Sequence, residues 1–169
     1  MAIRNIFKDD APCLYKKARP VEKFDEKLWK LLDDMAETMY DAEGVGLAAP
    51  QVGILRRVFV MDCGDGLIEA INPEILETSG EQGGMEGCLS FPERSGYVVR
   101  PNKVVFRAFD RNGKLMRYTC EGLHARCVLH ENDHLDGHVY LEKVTEPPEG
   151  FDPEAGYDDS DYDDEGEEE

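Results

Sequence analysis

No apolar run in the sequence approaches the ~20 residues of a membrane-spanning helix. The opening stretch, MAIRNIFKDDAPCLYKKARPV, holds neither the apolar segment of a secretion signal nor the acid-poor, Ser/Arg-rich composition of a transit peptide. A soluble, cytoplasmic protein without membrane association is therefore expected. No C-x-x-C occurs, and the five cysteines (Cys13, Cys63, Cys88, Cys120 and Cys127) are odd in number and widely spaced. This excludes the disulfide framework of a small secreted domain; reduced thiols are the default, with one available to a metal. There is no internal repeat and no alternation of strands with helices, which argues against a doubly wound parallel sheet.

Basic residues are missing in one region. From Glu146 onward the chain has thirteen Asp or Glu and no Lys or Arg. Of the formal charge of −18, the residues before that point carry only about −5, an ordinary balance for one soluble domain. The segment EPPEGFDPEAGYDDSDYDDEGEEE is rich in Pro, Gly and like charge, and Phe151, Tyr157 and Tyr162 are too few to offset its ordering entropy. The expected organisation is a folded domain over 1–148 and an acidic, disordered tail over 149–169. Such a tail solubilises the chain or docks a basic partner. Its acids repel phosphates, so it is not expected to bind nucleic acid.

What is present reads as helices at the two ends and strands between them. Phe24, Leu28, Leu31, Leu32, Met35 and Met39 recur at helical spacing, predicting a helix over about 24–40, with Asp25 as a first-turn acid. RRVFVMD and IEAINPEIL are short and β-rich. The Gly-rich TSGEQGGMEGCLSFPERSGYVVRP reads mostly as loop, with a strand near Tyr97 to Arg100. KVVFRAFD and KLMRYTCEG flank RNG, and Asn112-Gly113 predicts a hairpin closed by a type I′ turn. Leu123, Cys127, His130 and His134 fall on one face of a second helix over about 123–135. The fold class that follows is α+β: antiparallel or mixed sheets around a central helix, with a further N-terminal helix.

That second helix carries the chemistry. In CVLHENDHLDGH, His130 and His134 are four apart, so both imidazoles share one face, and Glu131 lies beside the first. Core histidines bonded to Asp133 or Asp136 would be the bland explanation, but H-E-x-x-H is hard to explain by packing and marks a metal site with a base. An open catalytic site needs a third protein ligand. His138 is a poor candidate, because the metzincin pattern would place that histidine at position 140, which is Tyr140. Cys88, in the Gly-rich EGCLS, is better placed, and a thiolate with two imidazoles suits zinc or another borderline-soft divalent ion.

GVGLAAPQ, residues 44–51, superficially fits a dinucleotide fingerprint. The fingerprint needs a strand before it and a helix after it, whereas here a helix precedes and Pro50 and Gly53 break any helix that follows. Gly44 and Gly46 instead allow close backbone approach to a ligand, and Gln51 offers an amide donor.

GVGLAAPQ, EGCLS and HENDH, in this order and spacing, resemble the three motifs of bacterial-type peptide deformylases, and the likeness extends through AINPEI and VVRP over nearly all of residues 1–147. The family pattern is departed from at Leu129, at His138 and in FPERSGY, none of which is a ligand or the base. The resemblance implies removal of the formyl group from the N-terminal formyl-methionine of newly made polypeptides, by attack of a metal-bound water on the formyl carbon. It implies Cys88, His130 and His134 as metal ligands, Glu131 as general base and then acid, and the Gln51 side chain and Leu89 backbone N–H as oxyanion donors. It also implies that Gly46 pairs with the substrate main chain and that an apolar pocket near Glu86, Leu123, Cys127 and His130 takes the methionine side chain. The implied metal in the cell is Fe2+, replaceable by Zn2+, Ni2+ or Co2+; the implied partners are nascent chains and, transiently, the translation machinery, with the enzyme a monomer. Two alternatives remain: a zinc endopeptidase, separated by its third ligand and by cleavage of internal peptide bonds, and a structural metal domain, which would need a fourth protein ligand.

Overall fold

A computed structural model describes residues 2–153. The acidic residues 154–169 lie outside the described residues, and with them most of the predicted tail.

The first helix, α1, runs Glu26–Asp41, with Asp25 as its N-cap: the carboxylate accepts the Leu28 N–H at 3.2 Å. The strands follow: β1 Gly46–Ala48, β2 Val58–Met61, β3 Ile68–Ser79, β4 Gln82–Cys88, β5 Phe91–Arg100, β6 Lys103–Phe109 and β7 Leu115–Glu121. Helix α2 spans Gly122–Leu135, and a two-residue β8, Val144–Thr145, follows it. One antiparallel sheet has the order β1-β2-β3-β6-β7 and a second the order β4-β5-β8. Among the described residues no helix is long and apolar enough to cross a membrane.

Strand alternation explains how α2 becomes central. Successive side chains of a strand face opposite sides. In β2, Val58 and Val60 pack with Leu28, Leu32, Met35 and Met39 of α1, whereas Phe59 and Met61 pack with Ala125, Val128 and Leu135 of α2. The larger sheet is thus covered on one face by each helix, which is why VFVM is apolar without a break and buried throughout. The smaller sheet has its own core of Leu14, Phe91, Val98, Val139 and Tyr140. Arg126 of α2 reaches the Val98 carbonyl in it at 3.1 Å. Contacts in both directions leave most of α2 buried, including Arg126, His130, Glu131 and His134.

Two expectations are corrected. The Gly-rich stretch is not mostly loop: it forms the β4–β5 hairpin. Its glycines are space-makers, since a Cβ on Gly83 would overlap the Tyr97 hydroxyl at 1.7 Å and one on Gly96 would meet Val144 at 2.6 Å. The β6–β7 hairpin forms, but its turn is not type I′. Only Gly113 has a positive φ, the Asp110 N–H donates to the Lys114 carbonyl, and the Asp110 carboxylate accepts the N–H groups of Asn112 and Lys114. That is a three-residue loop with a left-handed glycine, set by the Asx character of Asp110. Within GVGLAAPQ, Gly46–Ala48 adds to the edge of β2 before a 3-10 turn over Ala49–Val52.

Candidate metal and catalytic centre

The helical repeat places His130 and His134 one turn apart on α2, with ring centroids 5.0 Å from each other. Cys88, the last residue of β4, meets them: its Sγ and one ring nitrogen of each histidine all lie within 4.8 Å of one another. Sγ of Cys88 is 3.3 Å from His134 Nε2. The Nδ1 of His130 is engaged by Glu86 Oε1 at 2.5 Å, leaving Nε2 for the cluster. Burial pushes the His134 pKa well down, favouring the neutral ring that a ligand requires. A thiol and two imidazoles this close, beside a buried carboxylate oxygen with no partner among the described residues, are a donor set that fits one divalent ion.

Glu86 is more than a pocket wall. It is buried, and Arg100 grips it with two bonds, Nε at 2.9 Å and Nη2 at 2.7 Å, while Arg126 Nη1 adds a third at 2.7 Å. Burial opposes its ionisation, yet the bonds with His130 and Arg100 hold the carboxyl well below the usual range. Arg100 also reaches Asp133 at 3.0 Å, tying the strand to the helix within the HENDH segment. An ionised carboxylate on Nδ1 fixes the ring orientation and tautomer of a ligating histidine.

Glu131 is buried, and among the described residues its Oε2 has no partner. Burial raises its pKa to about 7, with the Glu86 charge adding and the His130 charge opposing. Its Oε1 lies 4.0 Å from His130 Nε2. The carboxylate rests against the bare face of Gly46, where a Cβ would come within 2.6 Å of Oε1 and 2.9 Å of Cys127 Sγ. Gln51 is held from behind: its Oε1 accepts the Ala48 N–H at 2.9 Å, which turns its NH2 toward Cys88 Sγ at 3.4 Å and Ser90 Oγ at 3.1 Å.

A cavity of about 360 Å3 opens onto this cluster. Gly46, Gln51, Glu86, Cys88, Leu89, Leu123, Cys127, His130 and Glu131 all line it, so the structure brings the candidate residues together, with His134 beneath them in the cluster. Leu89 lies in the turn after Cys88, its side chain against Gly44. Cys127 is buried, its Sγ 3.7 Å from the Val45 carbonyl. His138 is exposed, 3.1 Å from Glu142, and takes no part. Sequence reasoning missed Ser90, Arg100 and Arg126, each buried at the site. The signal available for Glu86 was its place two residues before Cys88, which becomes informative once the segment is read as a strand.

Comparison with known proteins agrees with this geometry. A family model described as polypeptide deformylase matches residues 3–149. The peptide deformylase of Clostridium botulinum (strain Alaska E43 / Type E3) is 54% identical over 145 residues, covering 86% of this chain and 99% of that one. Peptide deformylase 1 of Bacillus subtilis (strain 168) is 51% identical over 147 residues, covering 86% and 92%. The crystal structure of the Thermotoga maritima peptide deformylase superposes with a TM-score of 0.85 at 43% identity, covering 86% of this chain and all of that one. That of the Ehrlichia chaffeensis enzyme in complex with actinonin superposes at 0.84 with 37% identity, covering 86% and 90%.

Proposed function

The chain belongs to the polypeptide deformylase family, a family of metal-binding hydrolases, and from that premise we infer how its residues divide the removal of formate from N-terminal formyl-methionine. The single observation that carries the assignment of roles is the convergence of Cys88, His130 and His134 beside the unpartnered carboxylate of Glu131 in one cavity.

Cys88, His130 and His134 hold the ion. When bound, it supplies Lewis acidity, lowering the pKa of a water from ~15.7 toward ~7. Glu86 orients His130 through Nδ1. Glu131, with a pKa near neutrality, takes the proton of the attacking water through its free oxygen and returns it to the leaving amine. Gln51, its amide oxygen pinned by Ala48, presents its NH2 where negative charge develops on the formyl oxygen; the Leu89 N–H in the adjoining turn is the second donor. One such donor is worth about 3 kcal/mol in the transition state. Gly46, on β1 at the edge of the larger sheet, pairs with the substrate main chain as an added strand would. The methionine side chain enters between Leu123, Cys127 and the stem of Glu86.

Fe2+ is the metal of the cell, with Zn2+, Ni2+ and Co2+ as replacements; the enzyme works as a cytoplasmic monomer on nascent chains in transient contact with the translation machinery. The test is formate release from a short formyl-methionyl peptide by protein purified without air, run beside metal analysis. Cleavage of an internal peptide bond without formate release would replace this reading with that of an endopeptidase.

A further inference from the structure

Away from the candidate centre, a groove of about 620 Å3 lies against α1 and shares no lining residue with the cavity of the centre. Arg19, Lys23, Lys27 and Arg56 line it, all exposed. A parallel backbone bridge sets Arg19 beside Arg56: the Arg19 N–H donates to the Leu55 carbonyl at 3.0 Å, and the Arg57 N–H to the Arg19 carbonyl at 2.9 Å. Two like charges are thereby fixed as neighbours. Among the described residues none of these four cations makes an ion pair, and of the two acids in the lining, Asp25 spends its carboxylate capping α1. The floor is apolar, formed by Val21, Leu28, Leu31 and Ile54. The groove therefore fits an acidic peptide that carries an occasional ring.

The chain contains such a peptide. Residues 154–169 hold ten Asp or Glu, no Lys or Arg, and Tyr157 and Tyr162. We propose that the groove is the docking site of this segment of the same chain, its acids facing Arg19, Lys23, Lys27 and Arg56 and a tyrosine lying on the apolar floor. Length permits it: sixteen residues extend up to ~55 Å at ~3.4 Å each, against roughly 40 Å across a domain of this size. Charge directs it, because residues 1–153 are net acidic by about −8 and repel the segment everywhere except at such a local concentration of cations. Tethering gives the segment a millimolar effective concentration, so weak exposed ion pairs suffice. The docking covers no residue assigned to chemistry.

The test uses the full-length, isotopically labelled protein and a full-length variant in which the ten acids of 154–169 are changed to their amides. Amide resonances of 19–27 and 54–56 are expected to differ between the two, and 0.5 M NaCl added to the unchanged protein is expected to reproduce the difference, since screening shortens to a few ångströms. Lys23→Glu with Lys27→Glu, both exposed and outside the chemistry, should abolish it while leaving formate release unchanged. A short RNA oligonucleotide should bind the groove only in the amide variant. Overlaid spectra in those two stretches, shifts that grow with protein concentration and so report a second copy, or RNA binding equally to both proteins would each overturn the proposal.

Discussion

Replacing Gly46 by alanine tests the proposed geometry more sharply than removing a ligand does. The added Cβ would lie 2.6 Å from Glu131 Oε1, 3.0 Å from its Cδ and 2.9 Å from Cys127 Sγ. Gly46 does not have a positive φ, so backbone strain is not involved and the effect is one of volume. To restore an ordinary contact of 3.4 Å, the carboxylate must retreat by about 0.8 Å. The clashing atoms are the far end of Glu131, which has three rotatable bonds, and Cys127 Sγ, which turns about one, so the fold can accommodate the methyl group at an overpacking cost of about 1–3 kcal/mol. Catalysis cannot accommodate it as well, because a misplacement near 1 Å costs on the order of 100-fold. Gly46→Ala is therefore expected to bind stoichiometric metal, to melt cooperatively within several degrees of the parent, and to lose roughly 100-fold in kcat/KM for formate release from a formyl-methionyl peptide. A variant within about threefold of the parent would refute the idea that Glu131 must rest against the bare Gly46.

Other perturbations separate the remaining roles. Glu131→Gln should keep the metal and lose ~10²–10⁴-fold in turnover, since it removes a proton carrier and no ligand; near-full activity would assign the proton elsewhere. Cys88→Ala should lose tight metal binding together with activity, and full metal occupancy in that variant would place the third ligand elsewhere. Arg100→Met strips two charge-assisted bonds from buried Glu86 and should destabilise the fold by about 3 kcal/mol, read as a clear fall in Tm; an unchanged Tm would mean that Arg126 alone satisfies the carboxylate. The iron form should be inactivated by air or peroxide while a nickel form survives, and identical behaviour of the two would show that metal choice does not govern lability.

The part of the site carried by local spacing was legible in the sequence. His130, Glu131 and His134 are related by one helical turn, and a period of 3.6 is visible in one dimension. The β4–β5 hairpin was not legible, and the reason is physical. Gly83 and Gly96 carry the composition of a loop, yet each is glycine because another side chain, Tyr97 or Val144, occupies the space of its Cβ. Composition records the absence of a side chain and not what fills its place. The β6–β7 turn failed differently: Asn112-Gly113 is a true turn signal, but Asp110, two residues upstream, offers its carboxylate to two N–H groups and selects the longer loop.

The deeper omission concerns Arg100 and Arg126. Read along the chain they are cations among strand and helix residues and would be assigned to a solvated face, because arginine is seldom fully buried without a partner. The partner, Glu86, lies 14 residues before one and 40 before the other, and it is buried because the second sheet closes over α2. A buried carboxylate facing two guanidinium groups gains little net stability over an apolar replacement. Its presence is better explained by what it does next, which is to hold an ionised oxygen on His130 Nδ1. On the proposed roles, the two arginines act on the chemistry at one remove: they keep Glu86 charged, Glu86 fixes the ring, and the ring presents its other nitrogen to Cys88 and His134. Such a chain of dependence is set by three-dimensional proximity alone, so the motifs mark the atoms that react while the groups that aim them stay hidden until the fold is known.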